Sequence, residues 1–262
     1  MEDLAIFEIF SGLPRQGPGS DECTEKAFRS LPNFAAGARV LDIGCGGGMQ
    51  TLHLARICEN CQIIALDIYR PYLKQLMTKA LKEEISDRIE TVCASMEKLP
   101  LKDKKFDVIW AEGSIFVMGF GKGLEYWKGF LKDSGFMALT EAALFTDTPS
   151  EEVMNFWQDC YPDIKTIPEN ERIIEGAGYN IISKFKLPVS AWWDDFYAYL
   201  GKRLDEIEGK YRKNEEAKSV IDFSRTEIEL FRKYPNEYGY VFFVLEKNKI
   251  HNQNDLNRPN FE

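Results

Sequence analysis

Four glycines stand within five residues in Asp42-Ile43-Gly44-Cys45-Gly46-Gly47-Gly48, directly after an apolar run that starts at Arg39. Glycines there let the backbone turn sharply and let a ligand approach main-chain atoms where a Cβ would collide. A nicotinamide dinucleotide site would carry GxGxxG, but its last glycine is replaced here by Met49. Three further carboxylates stand where apolar runs end or are interrupted: Asp67 after Gln62–Leu66, Glu112 in Trp110-Ala111-Glu112-Gly113, and Glu141 in Ala138-Leu139-Thr140-Glu141-Ala142. Glu141 inside an apolar strand must be paired or face a cavity. Glu112 and Glu141 are candidate bases for taking a proton from a nucleophile, and Glu112 is equally a candidate for orienting a ligand. The segment Gly12–Ser20 sets Arg15 and Gln16 among glycines and prolines just before a predicted helix near Asp21, with Ser20 as its N-cap. Such a stiffened stretch could close over a crevice, Arg15 pairing with a carboxylate and Gln16 hydrogen-bonding beside it; a disordered leader is the alternative. Cys58-Glu59-Asn60-Cys61 is a lone CxxC with only His53 and His251 as helpers, so no metal is expected and the motif reads as a helix end turning into a strand. His53, between Leu52 and Leu54, reads as a packed or surface histidine.

The elements that must position these residues alternate. Strands are predicted at 39–43, 62–66, 88–93, 106–110 and 136–144, with helices at 49–57, after Asp67, and at 123–131. The strands are almost continuously apolar, which argues for a parallel sheet covered on both faces. Beyond Leu144, helices are predicted at 151–159 and 170–177 and strands at 181–187 and 240–245. The highly charged stretch 190–234 between those strands is too long for a structureless loop and reads as a helical insertion. It opens with Ala191-Trp192-Trp193-Asp194-Asp195-Phe196-Tyr197, aromatic residues that either form a small core or wall an acceptor site. Residues 209–218 mix both charge signs and read as a solvated helix face. The tail 248–262 is rich in Asn and is expected to be disordered.

Taken together, the segment VLDIGCGGG resembles the first motif of class I S-adenosylmethionine-dependent methyltransferases, and four more features follow in that family's order. They are Asp67 in IIALDIY, Ser95-Met96 in CASMEKLPL, Lys105–Ile109 as the fourth strand, and Trp110-Ala111-Glu112-Gly113 at its end. The chain is most similar to stand-alone bacterial and archaeal enzymes of the ubiquinone/menaquinone-methyltransferase-like type, where segments like LPRQGPGS, WAEGSIF and EYGYVFF recur. That label describes kinship of fold and names no quinone substrate. The resemblance implies an α/β, Rossmann-like, seven-stranded methyltransferase sheet with helices on both faces, its last strand antiparallel, and a helical insertion before that strand. It implies one domain over 1–247, with 1–36 as an N-terminal lid and helix. It implies S-adenosyl-L-methionine as cofactor, held by Gln16, Asp42, Gly44, Gly46, Asp67, Ile68, Ser95, Met96 and Glu112. Asp67 would accept from the ribose hydroxyls, and Asp42 would organise the glycine turn. Glu112 and Glu141 are the catalytic candidates, and Arg15, Trp193, Tyr197 and Tyr238 the acceptor-site candidates. The implied activity is SN2 methyl transfer to a small-molecule acceptor. The alternatives are a non-catalytic S-adenosylmethionine-binding protein acting through partners, and a protein methyltransferase. Two departures narrow this. The fourth-strand end lacks the Asn/Asp-Pro-Pro-Tyr/Phe that positions an amide or exocyclic amine, which disfavours base or glutamine methylation. Ser95 stands where many relatives have Asp contacting the adenine, and its hydroxyl makes a weaker bond.

Composition agrees with a globular chain of this size: 262 residues, 44% hydrophobic and 29% charged. A net charge of -9 repels a phosphate backbone, so nucleic acid is not expected as a partner. The sequence shows no signal-peptide pattern and no apolar run of about 18 residues, and its six scattered cysteines suit a reducing compartment, so a cytoplasmic protein without a membrane span is expected. A homodimer is left open.

Overall fold

The computed structural model describes residues 3–31, 37–103 and 105–248. The expected tail falls outside them except for Asn248. In chain order the elements begin with α1 (Asp3–Phe10), α2 (Asp21–Arg29), β1 (Arg39–Ile43), α3 (Met49–Ile57), β2 (Gln62–Asp67), α4 (Arg70–Lys82) and β3 (Ile89–Cys93). They continue with β4 (Phe106–Ala111), α5 (Phe120–Trp127), β5 (Leu131–Leu144), α6 (Glu151–Cys160), β6 (Lys165–Thr166), α7 (Ile167–Gly176) and β7 (Tyr179–Lys186). Last come α8 (Val189–Trp192), a π-helical turn over Trp193–Tyr197, α9 (Ala198–Tyr211), α10 (Glu215–Lys233) and β8 (Tyr238–Lys247).

The strands form one sheet in the order β3-β2-β1-β4-β5-β8-β7, with the two-residue β6 pairing β5 beside this path. Strands β1 to β5 run parallel, and β8 lies antiparallel between β5 and β7, as the resemblance implied. Side chains alternate across the sheet. Trp110, Ala138 and Ala142 pack with α2, α3 and α4 on one face, and Leu139, Ala143 and Val241 pack with α5 and α7 on the other.

Several boundaries differ from expectation for identifiable reasons. Strand β5 begins at Leu131, ahead of its apolar run, and the polar residues 132–134 are carried past a register shift opposite Phe106 and Val108. The helix expected at 123–131 is α5 followed by a 3-10 turn at 128–130. Helix α1 was not foreseen, because partners remote in sequence give it its place. It packs on α9 and α10, where Arg203 donates to the carbonyls of Glu8 and Ile9 and the Tyr211 hydroxyl bonds the Glu8 carboxylate. Ser20 caps α2 as expected, its hydroxyl accepting from the Cys23 N–H at 3.2 Å. Cys58 and Cys61 are joined by a disulfide across the turn from α3 to β2, their Cα atoms 5.4 Å apart, so the reading of six unlinked thiols is corrected for this pair. His53 is largely buried, with Nδ1 3.2 Å from Asp21.

Candidate functional site

Sheet order reverses between β1 and β4, and open α/β sheets bind ligands outside the strand ends at such a reversal. The glycine turn lies there. Gly44 has φ +74°, and a Cβ added to it would stand 2.5 Å from the Cβ of Ser114, so only glycine lets the two loops meet. Gly46, at φ +53°, is pinned by Asp67, whose Oδ2 accepts from the Gly46 N–H at 2.9 Å while Oδ1 accepts from the Tyr69 N–H at 2.8 Å. A carboxylate offers about four acceptor positions, so Asp67 keeps capacity to accept from a ligand as well. Burial raises the Asp67 pKa, opposed by these backbone donors.

Asp42 lies beneath the turn. It is fully buried and accepts from the Thr51 hydroxyl at 2.6 Å and from Gln50 at 3.5 Å. Burial pushes its pKa up to about 7, against the Thr51 bond. Its effect on the crevice runs through Gln50, which also donates to the Cys45 carbonyl.

A cavity of about 340 Å³ runs from this turn over β2 and β3, within the range of small-molecule sites. Gly44, Gly46, Asp67, Ile68, Ser95 and Met96 all line it. Ile68 and Val117, 61% and 60% exposed, hold apolar surface out at its rim, where a flat apolar ligand would cover it. The roof is α1: the Phe7 ring stacks on Tyr69 at 4.5 Å and meets the edge of Tyr72, whose hydroxyl donates to the Phe7 carbonyl. A second recess of about 70 Å³ lies beneath the 12–20 segment, lined by Arg15, Gln50 and Glu112 among others. Gln16, Gly44, Gly46 and Gly113 line both spaces, so these are two ends of one crevice.

The 12–20 segment is therefore an ordered cover, but its polar residues work differently from the expectation. Gln16 braces the glycine turn, its Oε1 accepting from the Gly47 N–H at 2.5 Å and its Nε2 donating to the Leu13 carbonyl at 3.2 Å. Arg15 is 6% exposed and already paired, 2.7 Å from Asp21 and 3.4 Å from Glu112. Glu112 in turn accepts from the Thr24 hydroxyl at 2.7 Å and the Trp110 indole N–H at 2.8 Å. Three donors fix this carboxylate in place between the 12–20 segment, α2 and the end of β4.

Of the remaining expected residues, Ser95 uses its hydroxyl to accept from the Glu97 N–H at 3.2 Å. The structure does not bring Trp193, Tyr197 or Tyr238 to the crevice. Tyr197 and Tyr238 are 2% and 0% exposed and belong to an aromatic cluster with Trp192 and Phe231 that glues the insertion to β8, while Trp193 lies under the Arg232 guanidinium. Glu141 shares the α5 and α7 face with Leu139 and Ala143, at the level of Gly113. It is 2% exposed; Oε1 accepts from the Tyr161 hydroxyl at 2.7 Å, and Oε2 has no partner. The residues missed by the sequence reading are Phe7, Tyr69, Tyr72 and Ser114. The aromatic pair in Ile68-Tyr69-Arg70-Pro71-Tyr72, directly after Asp67, was a usable signal, whereas nothing local marked Phe7.

Burial pushes the Glu141 pKa up to about 8 from an ordinary 4.5, opposed by the Tyr161 bond. A folded-state pKa above the unfolded one contributes stability that is complete below about pH 4.5 and is lost as pH rises through about 8. Glu141→Gln keeps the acceptor for Tyr161 and cannot ionise. Its Tm is expected to match the parent protein at pH 4 and to exceed it by several degrees at pH 9, a comparison that thermal melts across pH would make.

Among the described residues no group of three or more His, Cys, Asp or Glu side chains is arranged to hold a metal, and no helix is long and apolar enough to cross a membrane. A family model for a methyltransferase domain matches residues 40–135. Over 237 residues the chain is 23% identical to phosphoethanolamine N-methyltransferase 1 of Arabidopsis thaliana, covering 86% of this chain and 45% of that protein. Over 95 residues it is 32% identical to 27-O-demethylrifamycin SV methyltransferase of Amycolatopsis mediterranei, covering 36% and 34% of the two chains. It thus spans less than half the length of these curated relatives. An S-adenosylmethionine-dependent methyltransferase from Geobacter sulfurreducens, solved in complex with S-adenosyl-L-homocysteine, superposes with a TM-score of 0.79 at 20% identity, covering 93% of this chain and 98% of that one.

Proposed function

We propose that this chain, matched over residues 40–135 by a model for a methyltransferase domain, is a class I S-adenosylmethionine-dependent methyltransferase that binds S-adenosyl-L-methionine in the crevice between α1 and the glycine turn and methylates a small-molecule acceptor. The observation that carries this reading is Asp67, a mostly buried carboxylate fixed by backbone donors and lining the cavity, where it can still accept from a ligand. A pair of adjacent ribose hydroxyls matches that need. The apolar surface of Ile68, Met96 and Val117 suits a purine ring, with Ser95 able to contact its edge. Gly44, Gly46 and Gln16 border the middle of the crevice, and the Arg15–Glu112 pair supplies both charge signs to the recess for the amino-acid end. When bound, the cofactor would supply an electrophilic methyl group on a sulfonium.

The chain's own part is then largely geometric. Methyl transfer requires the acceptor atom in line at about 3–3.5 Å with water held away, so binding and enclosure contribute more than proton transfer. Helix α1 and the 12–20 segment provide the enclosure. Glu112 keeps Arg15 and Trp110 in place, and Glu141, whose pKa burial raises to about 8, can accept a proton only as pH rises toward that value. The relatives are named for acceptors as different as phosphoethanolamine and a rifamycin, which supports a small molecule without selecting one.

Calorimetry with S-adenosylhomocysteine tests the binding half, and incubation with isotopically labelled methyl donor and a metabolite extract tests the transfer half. Saturable binding and a labelled small product are expected. Absence of binding by the correctly folded protein would overturn the reading, and label appearing only in protein would redirect it to a protein acceptor.

A further inference from the structure

The crevice is divided by a neck. Its larger part, about 340 Å³, and the recess of about 70 Å³ meet at Gln16, Gly44, Gly46 and Gly113, the four residues that border both. A nucleoside joined to an amino-acid chain has to occupy both parts at once and therefore has to pass through this neck. The recess is well below the size of about 300 Å³ at which small-molecule sites begin. Something at the neck must give way.

Three of the four residues are glycines, with no side chain to turn aside, and their N–H groups are fastened. Gly44 donates to the Leu66 carbonyl at 2.8 Å, Gly46 to Asp67 at 2.9 Å, and Gly113 to the Thr140 hydroxyl at 2.7 Å. Of the four, Gln16 alone reaches the neck with a side chain. Its amide oxygen accepts from the Gly47 N–H at 2.5 Å and lies 2.6 Å from where a Cβ on Gly46 would stand. Its amide nitrogen donates to the carbonyls of Leu13 at 3.2 Å and Phe10 at 3.5 Å, at the end of the roof helix α1. One side chain thus joins roof to floor across the neck. These are bonds between neutral groups, each of modest net worth because water can replace them, so the amide can let go without loss of the fold. While in place, it also occupies an N–H just ahead of α3, where a helix start favours an anionic group.

We propose that Gln16 is a latch on cofactor entry: its side chain closes the neck and has to leave the Gly47 N–H before a ligand can span both parts of the crevice. This rests on the S-adenosylmethionine-binding reading and adds the residue that sets how fast the cofactor enters. Only molecules with the latch released can take up the ligand, so the apparent association rate is the intrinsic one scaled by the released fraction. A residue that merely contacts the bound cofactor would act on dissociation instead.

Surface plasmon resonance with S-adenosylhomocysteine on the immobilised full chain separates the two rates. Gln16→Ala removes the side chain with its bonds, and Gln16→Met keeps its length without them. Both variants are expected to associate faster than the parent protein by about fivefold or more. Unchanged or slower association in Gln16→Ala, with or without faster dissociation, would overturn the proposal. A rise in the alanine variant alone would assign the obstruction to bulk and overturn the latch. A crystal structure of the unaltered protein with S-adenosylhomocysteine gives a second reading that does not depend on either variant folding. The Gln16 amide is expected to have left the Gly47 N–H, and finding that bond intact with the ligand filling both parts would overturn the proposal. Failure of the parent protein to bind S-adenosylhomocysteine would instead remove the reading beneath it.

Discussion

Replacing Asp67 with alanine is expected to weaken S-adenosylhomocysteine binding by about two orders of magnitude or more, since two hydrogen bonds to a charged acceptor are worth about 1.5–3 kcal/mol each. The loss has two sources that a second variant separates. Asp67 would hold the ribose directly, and it also fixes the Gly46 and Tyr69 N–H groups that shape the crevice. Asp67→Asn keeps the size and one acceptor oxygen but loses the charge and turns an NH2 toward one of the present donors. It should therefore fall between the parent protein and the alanine variant. Calorimetry on both variants, with circular dichroism as a folding control, decides the matter. Unchanged affinity in the alanine variant would mean that the cofactor, if bound, sits elsewhere.

The largest effect on stability is expected at Glu112. Its carboxylate is 5% exposed and joins Arg15, Thr24 and Trp110, tying the 12–20 segment and α2 to the end of β4. Removing one partner of a buried pair costs about 3–5 kcal/mol because the other charge stays behind. Arg15 retains Asp21, which favours the lower end of that range. Glu112→Ala is therefore expected to lower Tm by about 6–12 °C, at about 2–4 °C per kcal/mol for a domain of this size. Glu112→Gln should cost less, because its carbonyl oxygen can still accept from Thr24 and Trp110. If Glu112 were instead the proton acceptor in catalysis, the glutamine variant would melt like the parent protein and lose turnover alone. Differential scanning calorimetry paired with a methyl-transfer assay distinguishes the two.

What could be read from the sequence, and what could not, follows from the range of the interactions. The sheet was legible because its signals are local: near-continuous apolar runs such as Arg39–Ile43, a glycine cluster after the first, an acidic residue after the second. The positions of Gly44, Gly46, Asp67 and Met96 around one cavity followed from that order. Ser20 was legible as a cap because an N-cap acts within three residues. Helix α1 was not, since its place is set by Tyr69, Tyr72 and Arg203, up to about two hundred residues away. Arg15 was correctly placed near the crevice, but residue type alone could not tell that Asp21 and Glu112 already neutralise it. The aromatic residues of 192–197 were given two roles, and the core role holds for Trp192 and Tyr197. Their density marked a place where helices meet a strand, which looks the same in sequence as the wall of a ligand site.

The position of β8 bears on how the chain is made. It is the last strand of the described chain, yet it lies inside the sheet, between β5 and β7. During synthesis, β1 to β5 can pair as they leave the ribosome, but the outer edge of β5 waits for residues 238–247. Until then a long apolar strand edge, including Met137, Leu139 and Ala143, stays open to pairing with other chains. The long charged helices α9 and α10 are translated within that interval. A ribosome stall or early stop between 187 and 238 would therefore release a fragment with its glycine turn complete and its β5 edge unpaired, a species suited to aggregation and to capture by chaperones.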